Sequence, residues 1–359
     1  MSAHIAFFGS SLVSTYWNGA ATYYRGIVKH LHRLGHRVRF YEPDAFDRQA
    51  HRDIADPDWA EVVVYPATDA AVAAAVDSAR DCDVLVKASG VGVFDTFLAA
   101  RLPAVANGRT TIFWDVDAPA TLARLARDAA DPFHSALKRF DFVLTYGGGD
   151  GVVRSYRAAG ARGCVPVYNA LDPDTHFPTA PERRFEGALG LLANRLPDRE
   201  QRVQQFFVDA ARALPHERFV LGGNGWHEHF DAPPNVAAIG HVPSADHNAF
   251  NSSPRAVLNV NRDSMAAAGF SPATRVFEAA GAAACLITDA WRGIEAFLEP
   301  GREVLVARDG REVAAILREL SPQRARAIGA AARRRVLAQH TYAQRAALVD
   351  RILHSGVAA

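Results

Sequence analysis

Short apolar runs alternate with longer amphipathic stretches along the whole chain, which predicts a parallel sheet covered by helices. In the first half, apolar runs predict strands at 4–8, 37–41, 62–65, 83–87, 110–114, 141–145 and 164–167. Helical spacing predicts helices at 19–34, 69–80, 93–100, 118–128 and 150–159. The same grammar then restarts, with strands at 187–192, 217–221, 236–239, 256–260, 284–287 and 303–306. Helices are expected there at 199–213, 245–251, 273–282 and 312–320. Two β/α/β halves of similar size are the pattern of an α/β protein with twin Rossmann-like domains. Residues 169–184 are turn-rich and then charged, which marks the join. Beyond 321 the chain is basic and helical, with Ile328, Val336, Leu348 and Ile352 spaced for packing.

At 359 residues, 49% hydrophobic and 22% charged, the chain has ordinary globular composition and room for two domains. A net charge of +1 gives no general attraction to nucleic acid or to a membrane surface, so neither is an expected partner. Cys82, Cys164 and Cys285 lie in or beside apolar runs without CxxC spacing, which favours reduced, buried thiols and a cytoplasmic location. No run approaches the roughly 18–20 apolar residues of a membrane span. The first strand begins at once, without a basic leader, so no signal peptide is expected.

Candidate chemistry is densest in residues 256–306, which read strand, polar loop, helix, strand, Asp-containing loop, short helix, Gly turn and strand. Arg275 and Glu278 lie one turn apart at a helix start and so point the same way. A helix N-terminus favours phosphate, and an arginine beside it adds bidentate donors. A carboxylate one turn later accepts hydrogen bonds from a ribose diol, so the pair suits a nucleoside diphosphate. Arg195 and Arg199 follow the first strand of the second half, at a helix start where the dipole disfavours cations. Their charge suits the negative charge that develops on a leaving diphosphate. Gly223, Asn224 and Trp226 follow the next strand, where glycine permits close ligand approach. Asn261 and Asp289 end the two strands that follow. His227 and His229 have no evident third metal ligand and read as surface histidines.

In the first half, ligands of an open α/β sheet belong beyond the carboxyl ends of the strands. That places Ser10, Ser11, Trp17, Asn18, Gly90 and Gly148 at an acceptor or cleft face. Asn18 reads alternatively as a helix cap. Asp95 is a candidate general base toward an acceptor hydroxyl, or a helix-dipole partner. Asp115-Val-Asp117 spells D-x-D, a pattern that recurs by chance and is not taken as a metal site. Asp117 has a helix N-cap as its alternative role. No G-x-G-x-x-G follows the first strand of either half, which argues against a dehydrogenase.

The helix Arg275-Val-Phe-Glu278-Ala-Ala-Gly281, the segment Leu286-Ile-Thr288-Asp289 and the later Phe297, Pro300, Gly301 and Glu303 resemble the C-terminal half of GT-B glycosyltransferases, in particular the CgeB-type, spore-maturation-like family. Gly35-His36-Arg37-Val38, the linker residues Asn169, Asp172, Phe177 and Pro178, and Gly240-His241-Val242 are similar to segments of the same class. The wider retaining superfamily has a glutamate eight residues before the position of Glu278; here Phe270 stands there. The resemblance implies a GT-B fold, two Rossmann-like domains facing a central cleft. Residues 1–172 would bind the acceptor and 173–336 the nucleotide-sugar, and a helix within 337–359 would cross back to the first domain. It implies a metal-independent transferase that moves a sugar from a nucleotide-sugar to a hydroxyl or similar nucleophile. The donor is then a co-substrate and no cofactor is required. Arg195, Arg199, Gly223, Asn224, Trp226, His241, Asn261, Arg275, Glu278 and Asp289 would hold the donor. Asp117 takes the place of a catalytic or acceptor-binding carboxylate, with Asp95 in reserve. A small molecule, a glycan or a protein remain open as acceptors. A nucleotide-sugar epimerase-like enzyme and a catalytically silent nucleotide-sugar-binding protein remain as alternatives on the same fold.

Overall fold

The structure, a computed structural model, describes residues 2–226 and 230–355. The chain divides into two compact units, Met1–Asn169 with Tyr342–Ala359, and Ala170–Thr341.

The first unit contains strands β1 (His4–Phe8), β2 (Arg37–Asp44), β3 (Glu61–Pro66), β4 (Val84–Ala88), β5 (Thr110–Asp115), β6 (Phe142–Thr145) and β7 (Cys164–Pro166). Its helices are α1 (Ala21–Arg33), α2 (Asp69–Ser78), α3 (Asp95–Ala104), α4 (Ala118–Arg127), α5 (Phe133–Leu137) and α6 (Gly149–Ala158). The second unit contains β8 (Leu189–Leu192), β9 (Phe219–Gly222), β10 (Val236–Gly240), β11 (Ala256–Asn259), β12 (Leu286–Asp289) and β13 (Leu305–Ala307). Its helices are α7 (Pro197–Val203), α8 (Asp209–Ala213), α9 (His247–Ser252), α10 (Asp263–Ala268), α11 (Thr274–Gly281), α12 (Gly310–Glu319) and α13 (Pro322–Gln339). The last helix, α14 (Tyr342–Ser355), belongs to the first unit.

The sheets are ordered β3-β2-β1-β4-β5-β6-β7 and β10-β9-β8-β11-β12-β13. Every strand pair is parallel. Strands such as β8, β11 and β12 are buried along their whole length, because helices cover both faces; hence their unbroken apolar runs. In each sheet the chain order reverses once, between β1 and β4 and between β8 and β11. A doubly wound sheet opens a ligand crevice at that reversal, beyond the carboxyl ends.

Two short helices, α5 and α10, go beyond those the helical spacing predicts. α5 has only five residues, and α10 opens on Asp263-Ser264 and ends at Gly269 with φ +71°. The helix expected at 199–213 is α7 and α8 joined by a π-helical turn over Gln204–Val208. α14 packs on α1: Tyr342 is buried over Gly26, where any Cβ would come within 2.2 Å of its ring. His36 Nε2 meets Asp350 Oδ1 at 2.9 Å. All three cysteines are free and buried. No helix among the described residues is long and apolar enough to cross a membrane.

Candidate active site

In the second unit, the loops after β8 and β9 are tied together beside the sheet reversal. Asn194 Oδ1 accepts from Asn224 N (3.0 Å), and Arg195 N donates to Asn224 O (2.9 Å). Gly223 makes this approach possible: at φ +123°, an added Cβ would lie 2.0 Å from Ala193 O. Arg195 forks onto Glu200, with Nε–Oε2 2.9 Å and Nη2–Oε1 2.7 Å, so part of its charge is offset within the loop. Arg199 lies on α7 with Nη1 3.5 Å from Asn194 O. Arg202, one turn further and not singled out from the sequence, pairs with Asp263 (2.9 Å) and Asp289 (2.6 Å). Its signal was there, since 199 and 202 lie one turn apart on the same helical face.

Two expected donor-wall residues face inward instead. Trp226 is 2% exposed, stacks edge-on against Phe230, and donates Nε1–H to Ala193 O at 2.6 Å. Asp289 is fully buried, accepting from Asn261 N (3.1 Å) and Arg202. Burial pushes its carboxyl upward, against the pull of these donors. Both residues brace the loops rather than present a face to ligand. His241 is exposed at the end of β10. His227 and His229 lie outside the described residues.

At the head of α11 several buried polar atoms find no hydrogen-bond partner among the described residues. No side chain caps this N-terminus. Arg275 Nη1 lies 2.8 Å from Glu278 Oε2, an ion pair whose angles miss a hydrogen bond. Arg275 Nε and Nη1, Glu278 Oε2 and the Asn261 amide nitrogen are all buried without a hydrogen-bond partner among the described residues. A buried group left in that state is costly unless a ligand completes it. Burial pushes the Glu278 carboxyl up, but Arg275, His176 and His247 outweigh it and hold it below its ordinary value.

His176 and His247 come from the interdomain segment and α9, and only the fold brings them to Glu278. One ligand atom from each of the three lies within 4.8 Å of the others, a spacing that could take a metal. The Arg275 guanidinium, 2.8 Å from Oε2, already sets a positive charge beside that carboxylate and disfavours a second cation, so the histidines are better read as its neutral lining. A second such group, His4, Asp81 and Cys82, sits at the amino ends of β1 and β4, away from the ligand edge.

Burial, with Arg275 next in effect, lowers His247 to about 4 from an ordinary 6.5. As pH falls, the unfolded chain takes the proton first. Stability is therefore expected to erode between pH 6.5 and about 4, by up to about 3 kcal/mol. His247→Asn should flatten that limb of a denaturation-versus-pH curve; an unchanged slope would refute the assignment.

In the first unit the loop after β1 is closed on itself. Ser10 Oγ bonds Asn18 Oδ1 (2.9 Å), Ser11 Oγ bonds Glu42 Oε1 (3.0 Å), and Asn18 Nδ2 donates to Ser11 O and Ser14 O (both 3.0 Å). Ser10, Ser11 and Asn18 are thus buried organisers of the loop, and Asn18 is not the side-chain cap of α1. Their work leaves Trp17 55% exposed at φ +46°. Gly90 is open, and Gly148 begins α6 at φ +94°. Asp95 spends Oδ1 on the buried Lys87 Nζ (2.5 Å) and Oδ2 on Gly92 N (2.9 Å). Asp117 caps α4, accepting from Ala120 N at 3.4 Å. Asp115 is buried against the Tyr156 hydroxyl and the Asp117 amide.

Two parallel, doubly wound sheets, each with its own switch point, together with the return of the last helix to the first unit, define the GT-B class. Residues 199–350 match a family described as glycosyl transferase-like. Among solved structures, Anabaena HepE in complex with UDP and glucose is 16% identical, with a TM-score of 0.71 over 98% of this chain and all of that one. Sucrose-phosphate synthase from Thermosynechococcus elongatus is 13% identical, with a TM-score of 0.70 over 98% of each chain. An α-glucosyltransferase in complex with UDP-glucose and DNA is 11% identical, with a TM-score of 0.71 over 99% of this chain and all of that one. No curated protein sequence matches the chain. At these identities the likeness establishes the GT-B fold.

Proposed function

We propose that the protein is a metal-independent glycosyltransferase. The second unit holds a nucleotide-sugar donor and the first unit an acceptor hydroxyl or similar nucleophile. The observation that carries this reading is the uncapped head of α11, with the unspent buried groups of Arg275, Glu278 and Asn261. A diphosphate supplies acceptors for Arg275 and the helix amides, and a ribose diol supplies donors for Glu278. In transfer, the bond from the anomeric carbon to the diphosphate breaks as the acceptor oxygen attacks. Arg275, with Arg199 and the part-neutralised Arg195, offsets the charge that collects on the departing diphosphate. The glycosyl transferase-like match over 199–350 and the UDP ligands named for two of the structural neighbours favour a UDP-sugar. Three buried free thiols suit a reducing compartment such as the cytoplasm.

The test is release of UDP from UDP-glucose and related donors, with an acceptor panel, in the presence of EDTA. Turnover that persists in chelator is expected. Binding without nucleotide release would favour an epimerase-like or silent protein. Activity lost in EDTA and restored by magnesium or manganese would return Asp115 and Asp117 as metal ligands.

A further inference from the structure

We propose that Arg48 is an anion-binding residue that receives a phosphate or carboxylate group carried by a small acceptor. The proposal rests on the reading of the first unit as the acceptor-binding one.

Arg48 follows β2 and is 7% exposed. Its Nη1 donates to Ser10 O (3.2 Å) and to Val91 O (3.4 Å). Ser10 belongs to the loop after β1 and Val91 to the loop after β4, so the guanidinium bridges the switch point of the first sheet. Its Nε is buried without a partner. Among the described residues Nη2 makes no hydrogen bond, and Arg48 has no ion pair. The carboxylate with most influence on it is Glu42, but that group is already committed. It takes Ser11 Oγ (3.0 Å), Gln49 Nε2 (2.6 Å) and Leu12 N (2.5 Å). Burial accordingly depresses the Arg48 pKa, with Glu42 only partly opposing.

A guanidinium withdrawn from water is costly unless counter-charge and hydrogen bonds complete it. Two carbonyl bonds from one nitrogen could be supplied by a neutral amide, so bridging alone does not account for an arginine. The backbone also strains to deliver it. Phe46 and Asp47 are consecutive left-handed residues at φ +59° and +55°, the kind of strain that gathers at ligand sites. Phe46 lies 4.9 Å from the Arg48 guanidinium and packs on Gly92, where a Cβ would come within 2.5 Å of its ring. Neighbouring Gly90 stands open, with nothing within 4 Å of an added Cβ. A planar fork with unspent donors, under an exposed aromatic ring and beside an open glycine, matches the geometry of a carboxylate or phosphate.

The test is calorimetric titration of the full chain with inorganic phosphate and, separately, acetate. Ionic strength is held constant with NaCl, and UDP is present at saturation to fill the donor's diphosphate site. Wild type is expected to bind one of the two anions saturably, and the tighter one identifies the acceptor group. Arg48→Gln should weaken that binding at least tenfold, while Arg48→Lys retains part of it. UDP affinity, measured separately, should change less than twofold in both variants. No saturable response in wild type, or equal binding by Arg48→Gln, overturns the proposal. Should Arg48→Gln fail to fold, the wild-type titration and Arg48→Lys decide. Anion binding at Arg48 in a protein that turns over no nucleotide-sugar would reject the transferase reading and leave this site standing.

Discussion

Asp117→Asn is expected to lower turnover about 10²–10⁴-fold, the contribution of a positioned general base, with UDP affinity unchanged. Asp117 lies two residues beyond the end of β5 and is half-buried, on the edge where a doubly wound sheet meets its ligand. Asp115 holds it from behind by accepting from its amide at 2.9 Å. The cap bond to Ala120 N is long, at 3.4 Å, and asparagine caps a helix as well as aspartate does. The substitution therefore keeps the cap and removes the carboxylate charge. Asp95 is the weaker candidate, because Lys87 and the Gly92 amide take its two oxygens. Asp95→Asn would also strand a buried ammonium, so its loss of activity would mix chemistry with stability. Rates of nucleotide release at saturating donor decide the point. A change of less than about threefold in Asp117→Asn removes Asp117 from the role and favours a mechanism in which the departing phosphate takes the proton.

The strands were legible because a sheet covered on both faces needs continuous apolar runs, and all thirteen expected runs became strands within a few residues. Arg275 and Glu278 were legible because a helix start and one-turn spacing are local features. Their surroundings were not. His176 and His247 reach Glu278 only through the tertiary fold, and nothing in their own segments points to that contact. Trp226 and Asp289 show a different limit of sequence position. A loop at a strand's carboxyl end holds both ligand contacts and the groups that lock the loop, and sequence position alone cannot separate them. Hydrogen bonding can: Trp226 Nε1 and the Asp289 carboxylate are committed within the loops, whereas Glu278 Oε2 and the Asn261 amide nitrogen have no such partner among the described residues. Arg48 escaped notice because its meaning depends on two left-handed residues before it and two loops remote in sequence.

Glu278→Gln is expected to weaken UDP binding about 10–100-fold, equivalent to about 1.4–2.8 kcal/mol. Glutamine keeps the length and shape of the side chain while losing the charge that Arg275 faces at 2.8 Å. Two effects could produce such a loss: a missing acceptor for the ribose diol, or an Arg275 no longer held toward phosphate. They separate when UDP is replaced by 2′-deoxy-UDP in both proteins. If Glu278 accepts from the ribose, wild type should lose most of its advantage on the deoxy nucleotide, and the variant should lose little more. That non-additivity is the mark of two groups in contact. Additive losses would show that Glu278 acts through Arg275 instead. Unchanged UDP affinity in Glu278→Gln would remove the head of α11 from donor recognition, and with it the principal support for a transferase.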